Sequence, residues 1–407
     1  MFVAEEKAAV PWVALGALGV VTIVGYGACY YAYGVLIEPI AHDTGWSRGA
    51  LGAVFSIALA VMGVCGLIGG RVLDRVGTRP IFIAAAALGS ALTAVASFQT
   101  SIWAFAATYG VGCGVVGGLA FYGVTQPTAA KLMPRAPAKA IIWLTIAGAF
   151  ASPLYLPLTA ELVTRIGWRD TIRVHAVTVA VVLLAASRIV AAPKARPVGS
   201  SPRTRDVVSS AWRSPSMRVW LVAAMIGGAA TDVMLVYQVP AMVAAGLSLA
   251  TASALAGLRG FAQLAGRLPL ERVLARLGAR RTLIATYVTG AVAVVVLCLS
   301  GDIVLALIYS VLAGTSVGAI GALEGIYTHE LVDQRHLGVL FGVQQAVFSL
   351  GGAVGPAIAG LALDRTGSFA SVAVLGSVGF LVSAWLLRMR GGGIESRAAD
   401  TSPAASS

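Results

Sequence analysis

The sequence predicts an all-α membrane protein of twelve transmembrane helices arranged as two six-helix pseudo-repeats. Three observations predict it. Of 407 residues, 58% are hydrophobic and only 11% charged, less than half the charged fraction of a soluble domain. The 48 glycines suit helices that pack closely in a bilayer, where small residues let backbones approach. Apolar runs long enough to cross a hydrocarbon core, roughly 20 residues each, recur along the whole chain.

Twelve such runs are bounded by charges and turn residues. They extend from Trp12 to Ile37, Ala50 to Leu73, Ile81 to Ala96, Ile102 to Ala129, Ala138 to Leu162 and Ile172 to Val190 in the first half. In the second half they extend from Val219 to Ala244, Thr251 to Leu270, Leu283 to Leu299, Ile303 to Tyr327, Leu337 to Leu363 and Ser371 to Leu387. The acidic start Glu5-Glu6-Lys7 is not the basic leader of a cleaved signal peptide, so the first run is expected to be retained as helix 1.

An even number of spans puts both termini on one side, and the side richer in Lys and Arg is the cytoplasmic one. The terminal side holds 22 of the 29 basic residues and the other side five, namely Arg48, Arg165, Arg169, Arg173 and Arg365. Both termini are therefore expected in the cytoplasm of a cell membrane. The bias toward Arg, Ala, Gly and Val points to a GC-rich bacterial genome. A net charge of +12 invites a nucleic-acid reading, but the basic residues are scattered between apolar runs and form no stripe. No nucleic-acid partner is expected.

The longest polar segment, rich in Pro, Ser and Arg, reads as a linker at 192–216 between bundles at 1–191 and 217–390, with a disordered tail at 391–407. RVLDRVGTR from Arg71 matches RVLARLGAR from Arg272 at six of nine positions. Each copy follows the second helix of its half, so the chain reads as an internal duplication, one of the standard designs of transporters.

Enzyme chemistry has no support in the pattern. His42, His175, His329 and His336 are isolated, and Cys29, Cys65, Cys113 and Cys298 each lie alone in an apolar run; neither a metal site nor a disulfide framework is suggested, and no cofactor is expected. The glycine-rich YGVGCGVVGG lies inside an apolar helix and reads as close helix packing, not as a phosphate loop.

At Gly70, Asp74, Arg75, Gly77 and Arg79 the chain resembles the major facilitator superfamily, whose signature loop between helices 2 and 3 has this pattern. Gly167-Trp168-Arg169 is similar to the family's turn before helix 6, and Gly355-Pro356 with Asp364-Arg365-Thr366-Gly367 to its helix 11 and outer turn. Within the superfamily, Tyr33-Gly34-Val35, Gly45-Trp46-Ser47-Arg48 and the stretch from Val239-Pro240 to Gly266-Arg267 look like bacterial monocarboxylate-porter-like carriers, including the oxalate/formate antiporter branch. Two positions depart from that pattern: Gln238 stands where many members have histidine, and Gln263 where animal members have aspartate. The resemblance implies alternating access and a small organic anion carried with a proton. A proton-antiport exporter of drugs or metabolites is the alternative, and a non-transporting membrane sensor is a third reading. A monomer in the lipid bilayer is expected.

Ionisable groups inside a bilayer are costly and mark pathways. Four lie well within the spans: Asp232, Arg259, Arg267 and Glu324. All are in the second half, and two acids with two bases could cancel by pairing. Arg267 has the planar fork that suits a carboxylate, and the resemblance places a carboxylate-binding arginine there; the competing reading is that it snorkels or braces Glu324. Arg259, two turns away on the same face, either extends the anion path or pairs with Asp232. Glu324 and Asp232 are the two candidates for proton coupling, because a buried carboxylate is tolerated only when paired or protonated.

The first half offers hydroxyls and aromatics. Tyr26, Tyr30 and Tyr33 follow an i, i+4, i+7 spacing that puts them on one face of helix 1, either as a cavity wall or as an interfacial belt. Tyr122, Gln126, Gln238, Gln263 and Tyr327 complete the polar substrate-binding candidates. Asp74 and Arg75, with Gly70, Gly77 and Arg79, are assigned to gating, where a carboxylate near a helix N-terminus can hold the cytoplasmic side shut. Pro127, Pro153, Pro157, Pro240, Pro269 and Pro356 mark candidate bends.

Overall fold

The structure, a computed structural model, describes residues 12–190, 209, 212–331 and 337–389, and the described residues form helices joined by short turns. The linker core at 191–208 and 210–211 and the tail at 390–407 lie outside them, so the expected boundaries at 192–216 and 391–407 are not observed directly.

Ten helical stretches among the described residues are long and apolar enough to cross a membrane. Twelve spans result because the stretch Lys139–Ile189 turns at Gly167 into two helices, and because Leu249–Arg267, whose two arginines lower its hydropathy, is also a helix. The spans are α1 (Trp12–Thr44), α2 (Arg48–Val76), α3 (Thr78–Ala96), α4 (Ile102–Leu132), α5 (137–166), α6 (168–189), α7 (Pro215–Ala244), α8 (Leu249–Arg267), α9 (279–298), α10 (Ile303–Leu331), α11 (Leu337–Thr366) and α12 (Phe369–Met389). Most ends fall within a few residues of the expected ones. Helix 1 runs on to Thr44, past Pro39, before Gly45 ends it with φ 73°.

The duplication is written in the turns. Among the described residues six glycines have positive φ, a conformation open to glycine because it lacks Cβ. Gly246 lies 201 residues after Gly45, Gly278 lies 201 after Gly77, and Gly367 lies 200 after Gly167. The first and third pairs end the first and fifth helices of each half, and Gly77 and Gly278 stand at the turn before the third. The caps repeat too: Ser47 accepts a hydrogen bond from the Ala50 N–H and Ser248 from the Thr251 N–H, both at 3.1 Å. Each is a serine N-cap closing the first turn of its helix.

The halves meet mainly through α2 against α11 and α5 against α8, and α1 also packs on α7, the pairing expected if the repeats are related by a twofold axis along the membrane normal. Glycines make these contacts close. A Cβ at Gly49 would strike Asp364 and the Gly360 backbone, and one at Gly260 would strike Ser152 and Pro153. At the face away from the termini, Asp364 on α11 accepts from the Ser47 hydroxyl at 2.6 Å and from the Gly49 N–H at 3.0 Å. A carboxylate thus caps the start of α2 from the other half, where the helix dipole favours negative charge. Beside it, Asp43 accepts from Trp168 Nε1 at 2.9 Å and pairs with Arg169 at 3.6 Å, tying α1 to α6.

Of the candidate proline bends, Pro269 lies in the turn after Arg267 and Pro153 in the first turn after the Ala149–Phe150 break; the others lie away from the breaks. Pro127, Pro157, Pro240 and Pro356 lie within continuous helices. The interruptions fall at Phe121, whose extended backbone (φ −88°, ψ −170°) splits α4, at Ala149–Phe150 in α5, and at the turn glycines. Helix α1 carries a π turn at Gly27–Tyr31.

Candidate functional site

The π turn decides which tyrosines share a face. Its i→i+5 geometry inserts an extra residue per turn, so the spacing that grouped Tyr26, Tyr30 and Tyr33 no longer applies. Tyr33 turns into the first bundle, fully buried, donates to the Leu51 carbonyl at 2.6 Å and packs on Phe55 and Tyr109. It is therefore an anchor between α1 and α2. Tyr31 takes its place beside Tyr26 and Tyr30, with ring centroids 6.4 and 5.1 Å away. The three rings are partly exposed. Phe121, at the break in α4, stacks on Tyr26 at 3.9 Å, and Tyr122 lies 4.9 Å from the same ring. Two irregular segments of the first half, the π turn of α1 and the break in α4, thus meet in one aromatic cluster. The break also presents the N-terminal end of a half-helix, Tyr122–Leu132, within the span, an end whose first N–H groups have no intrahelical partner. Gln126, one turn further along, is partly exposed.

Opposite this cluster stands Arg259 on α8. It is fully buried. Its Nε donates to Gln238 Oε1 at 3.2 Å, and its guanidinium carbon lies 5.4 Å from the Tyr31 ring centroid, within cation–π range. Gln238 is held in turn: Oε1 also accepts from the Tyr309 hydroxyl at 3.0 Å, and Nε2 donates to the Leu235 carbonyl at 2.9 Å. Both terminal nitrogens of Arg259 are buried with no hydrogen-bond partner. Buried donors are nearly always satisfied, and a guanidinium left with two free N–H edges is an acceptor-shaped vacancy suited to a carboxylate.

Asp232 on α7 is 3% exposed and accepts the Tyr30 hydroxyl hydrogen across the halves; Tyr30 in turn meets Tyr31, on whose ring Arg259 rests. A Cβ at Gly352 of α11 would collide with its other oxygen, so α11 leaves just enough room for the carboxylate.

The pairing expected among the four embedded charges is not formed. Among the described residues no ion pair joins Asp232, Arg259, Arg267 or Glu324 to one another. Asp232 faces Tyr30, and Arg259 faces Gln238. Arg267, about 12 Å along α8 at 1.5 Å per residue, is partly exposed; its Nε donates to the Gly318 carbonyl at 3.1 Å, and a terminal nitrogen reaches Gln263 Oε1 at 3.5 Å. It does not brace Glu324. That acid is 4% exposed on α10, with Oε2 accepting from Gln344 at 2.7 Å and Oε1 from Tyr287 at 3.4 Å. Its partners belong to α9 and α11, so it sits inside the second bundle and not among the cross-half residues.

Tyr327 also stands apart. Its ring meets Trp220 edge-on at 5.2 Å, lining a cavity of about 470 Å³ at the face of the termini, shared with Arg276 and Arg280. Of the gating residues, Gly77 makes the positive-φ turn between α2 and α3, Arg75 and Arg79 are exposed, and Gly70 lies within α2. The side chain of Asp74 lies outside what the structure describes.

Sequence reasoning missed Tyr31 and Tyr309. Tyr309 had a signal, a tyrosine inside the long apolar run of α10 that also holds Tyr327. Tyr31 had none, because a π turn is invisible to a 3.6-residue period.

A family model described as Major Facilitator Superfamily matches residues 18–258 and again residues 233–405. No curated protein matches the sequence. Among solved structures, the nucleoside transporter NupG superposes with a TM-score of 0.75 at 11% identity, covering 93% of this chain and 98% of that one. A bacterial homolog of the human lysosomal transporter Spinster, inward-facing and unoccupied, gives 0.71 at 14% identity, covering 94% and 96%. A D-xylose-proton symporter gives 0.69 at 15% identity, covering 93% and 96%. At these identities the likeness is one of fold.

Proposed function

Because the chain belongs to the major facilitator superfamily, we propose that it is a secondary active transporter that moves a small, monocarboxylate-like organic anion together with a proton, by alternating access. One observation carries the choice of an anion: the two buried, unpartnered nitrogens of Arg259. A buried cation without a counter-ion is costly, and a carboxylate that docks on both N–H edges removes that cost. Arg259, not Arg267, is then the head-group site. Arg267, partly exposed and nearer the termini, is the first basic group an anion meets on that side.

Asp232 is the coupling acid in this reading. It touches the first half through Tyr30, whose ring meets Tyr31 beneath Arg259, so its protonation, the arrival of an anion and the separation of the halves act on one connected set of side chains. Glu324, satisfied within one bundle, serves packing there. The closed face away from the termini, where Asp364 caps α2, is the outer gate, and the positive-inside bias puts both termini in the cytoplasm.

Counterflow of a labelled monocarboxylate in proteoliposomes with a trapped pH dye tests the reading. Exchange with proton movement in the wild-type protein, and neither in Arg259→Gln, is the expected result. Exchange that moves no protons would leave an anion exchanger, and the absence of exchange with any carboxylate would remove the anion reading.

A further inference from the structure

Resting on the anion reading of Arg259, we infer that the substrate is an aromatic monocarboxylate, with the carboxylate on Arg259 and its ring against the tyrosines of α1 and α4. What surrounds the guanidinium points to it. A site for a very short acid needs little beyond a charged clamp and polar groups around it. Here the groups between Arg259 and Arg267 are Tyr26, Tyr31 and Tyr122, partly exposed, with Phe121 behind them. Ligand sites combine an aromatic or apolar wall with a few placed polar groups, and this arrangement has that composition.

The wall is built by irregular backbone. The π turn at Gly27–Tyr31 brings Tyr31 onto the face of Tyr26, and the break at Phe121 sets Phe121 and Tyr122 against the same ring. Such irregularities in membrane helices gather at binding sites. Two further observations set the size of the ligand. The arginines are about 12 Å apart along α8, so a two- or three-carbon acid held by Arg259 leaves the tyrosine wall uncovered. Tyr31 already lies 5.4 Å from the guanidinium carbon, so a ring attached to the carboxylate by at most one or two atoms comes into contact with the tyrosines. Offset and edge-on ring contacts are favourable, and they discriminate an aromatic acid from an aliphatic one of equal charge. Tyr31 is on this account the residue that sets specificity.

The test is a thermal-shift titration of the purified full-length protein with benzoate, phenylacetate, acetate, lactate and oxalate, since a ligand that binds only the folded state raises its melting temperature. The aromatic acids are expected to bind roughly tenfold more tightly than acetate or lactate, the ratio that a ring contact at the upper end of its usual range gives. Within Tyr31→Ala the preference for aromatic acids over acetate should fall from roughly tenfold to within about twofold, and Arg259→Gln should abolish protection by all of them. Acetate, lactate or oxalate binding as tightly as benzoate in the wild-type protein would overturn the aromatic assignment and leave the anion reading standing. No protection by any carboxylate would overturn both. The wild-type series decides the matter even if Tyr31→Ala does not fold, and Tyr31→Leu, which keeps bulk without a ring, repeats the comparison.

Discussion

Tyr30 of α1 donates its hydroxyl hydrogen to Asp232 of α7, a side-chain hydrogen bond that joins the two halves. Rocking the halves apart must stretch or break this contact. On the proposed function, the Asp232 carboxylate would gain or lose a partner with each change of conformation, a physical handle for proton coupling.

Asp232→Asn is accordingly expected to stop substrate-driven proton movement while allowing exchange of anions. Glu324→Gln, inside the second bundle, should leave proton movement within about twofold of wild type. A trapped pH dye in proteoliposomes reads both variants. Loss of proton movement in Glu324→Gln with retention in Asp232→Asn would reverse the assignment.

Tyr30→Phe removes one donor and leaves the Asp232 oxygen without it. Leaving a buried acceptor unsatisfied costs about 1–3 kcal/mol, so a lower melting temperature is expected in differential scanning fluorimetry. Tyr33→Phe makes a useful comparison, because its hydroxyl serves the Leu51 carbonyl inside one bundle. It should lower stability without changing proton coupling, whereas Tyr30→Phe should change both.

Asp364→Ala removes the acceptor for Ser47 and Gly49 at the closed face. An N-cap interaction is worth about 0.5–2 kcal/mol, enough to move a two-state conformational balance severalfold. Spin labels at Arg165, in the last turn of α5, and Ser368, in the α11–α12 turn, should report a larger population of long distances in the variant. An unchanged distance distribution would show that the latch does not hold this face.

The fold was legible because it rests on hydropathy, and hydropathy is coarse. The span Leu249–Arg267 was found despite Arg259 and Arg267, since the apolar run around them is long. The repeat seen in RVLDRVGTR and RVLARLGAR reappears in the spacing of Gly45 and Gly246, of Gly77 and Gly278, and of Gly167 and Gly367, turns whose backbone calls for glycine. The site was legible as a set of embedded charges and not as an arrangement. That Arg259 is left with free edges depends on Gln238 being fixed by Tyr309, a contact between α7 and α10 that no sequence spacing encodes. That Tyr31 replaces Tyr33 depends on one π turn.

Arg267→Lys separates the two arginines of α8. Arg267 spends its Nε on the Gly318 carbonyl, so replacing its fork should slow entry of the anion more than it weakens binding. Initial uptake is expected to fall while the equilibrium Kd stays within about threefold. A loss of affinity as large as that of Arg259→Lys would return the head-group site to Arg267.

The most direct measurement is a structure of the protein with 4-bromobenzoate, the bromine locating the ring and the density locating the carboxylate. The account predicts carboxylate oxygens about 3 Å from the terminal nitrogens of Arg259, with the bromine-bearing ring against Tyr26 and Tyr31. Ligand density at Arg267 alone, or in the cavity beside Trp220 and Arg276 with Arg259 still unpartnered, would contradict it.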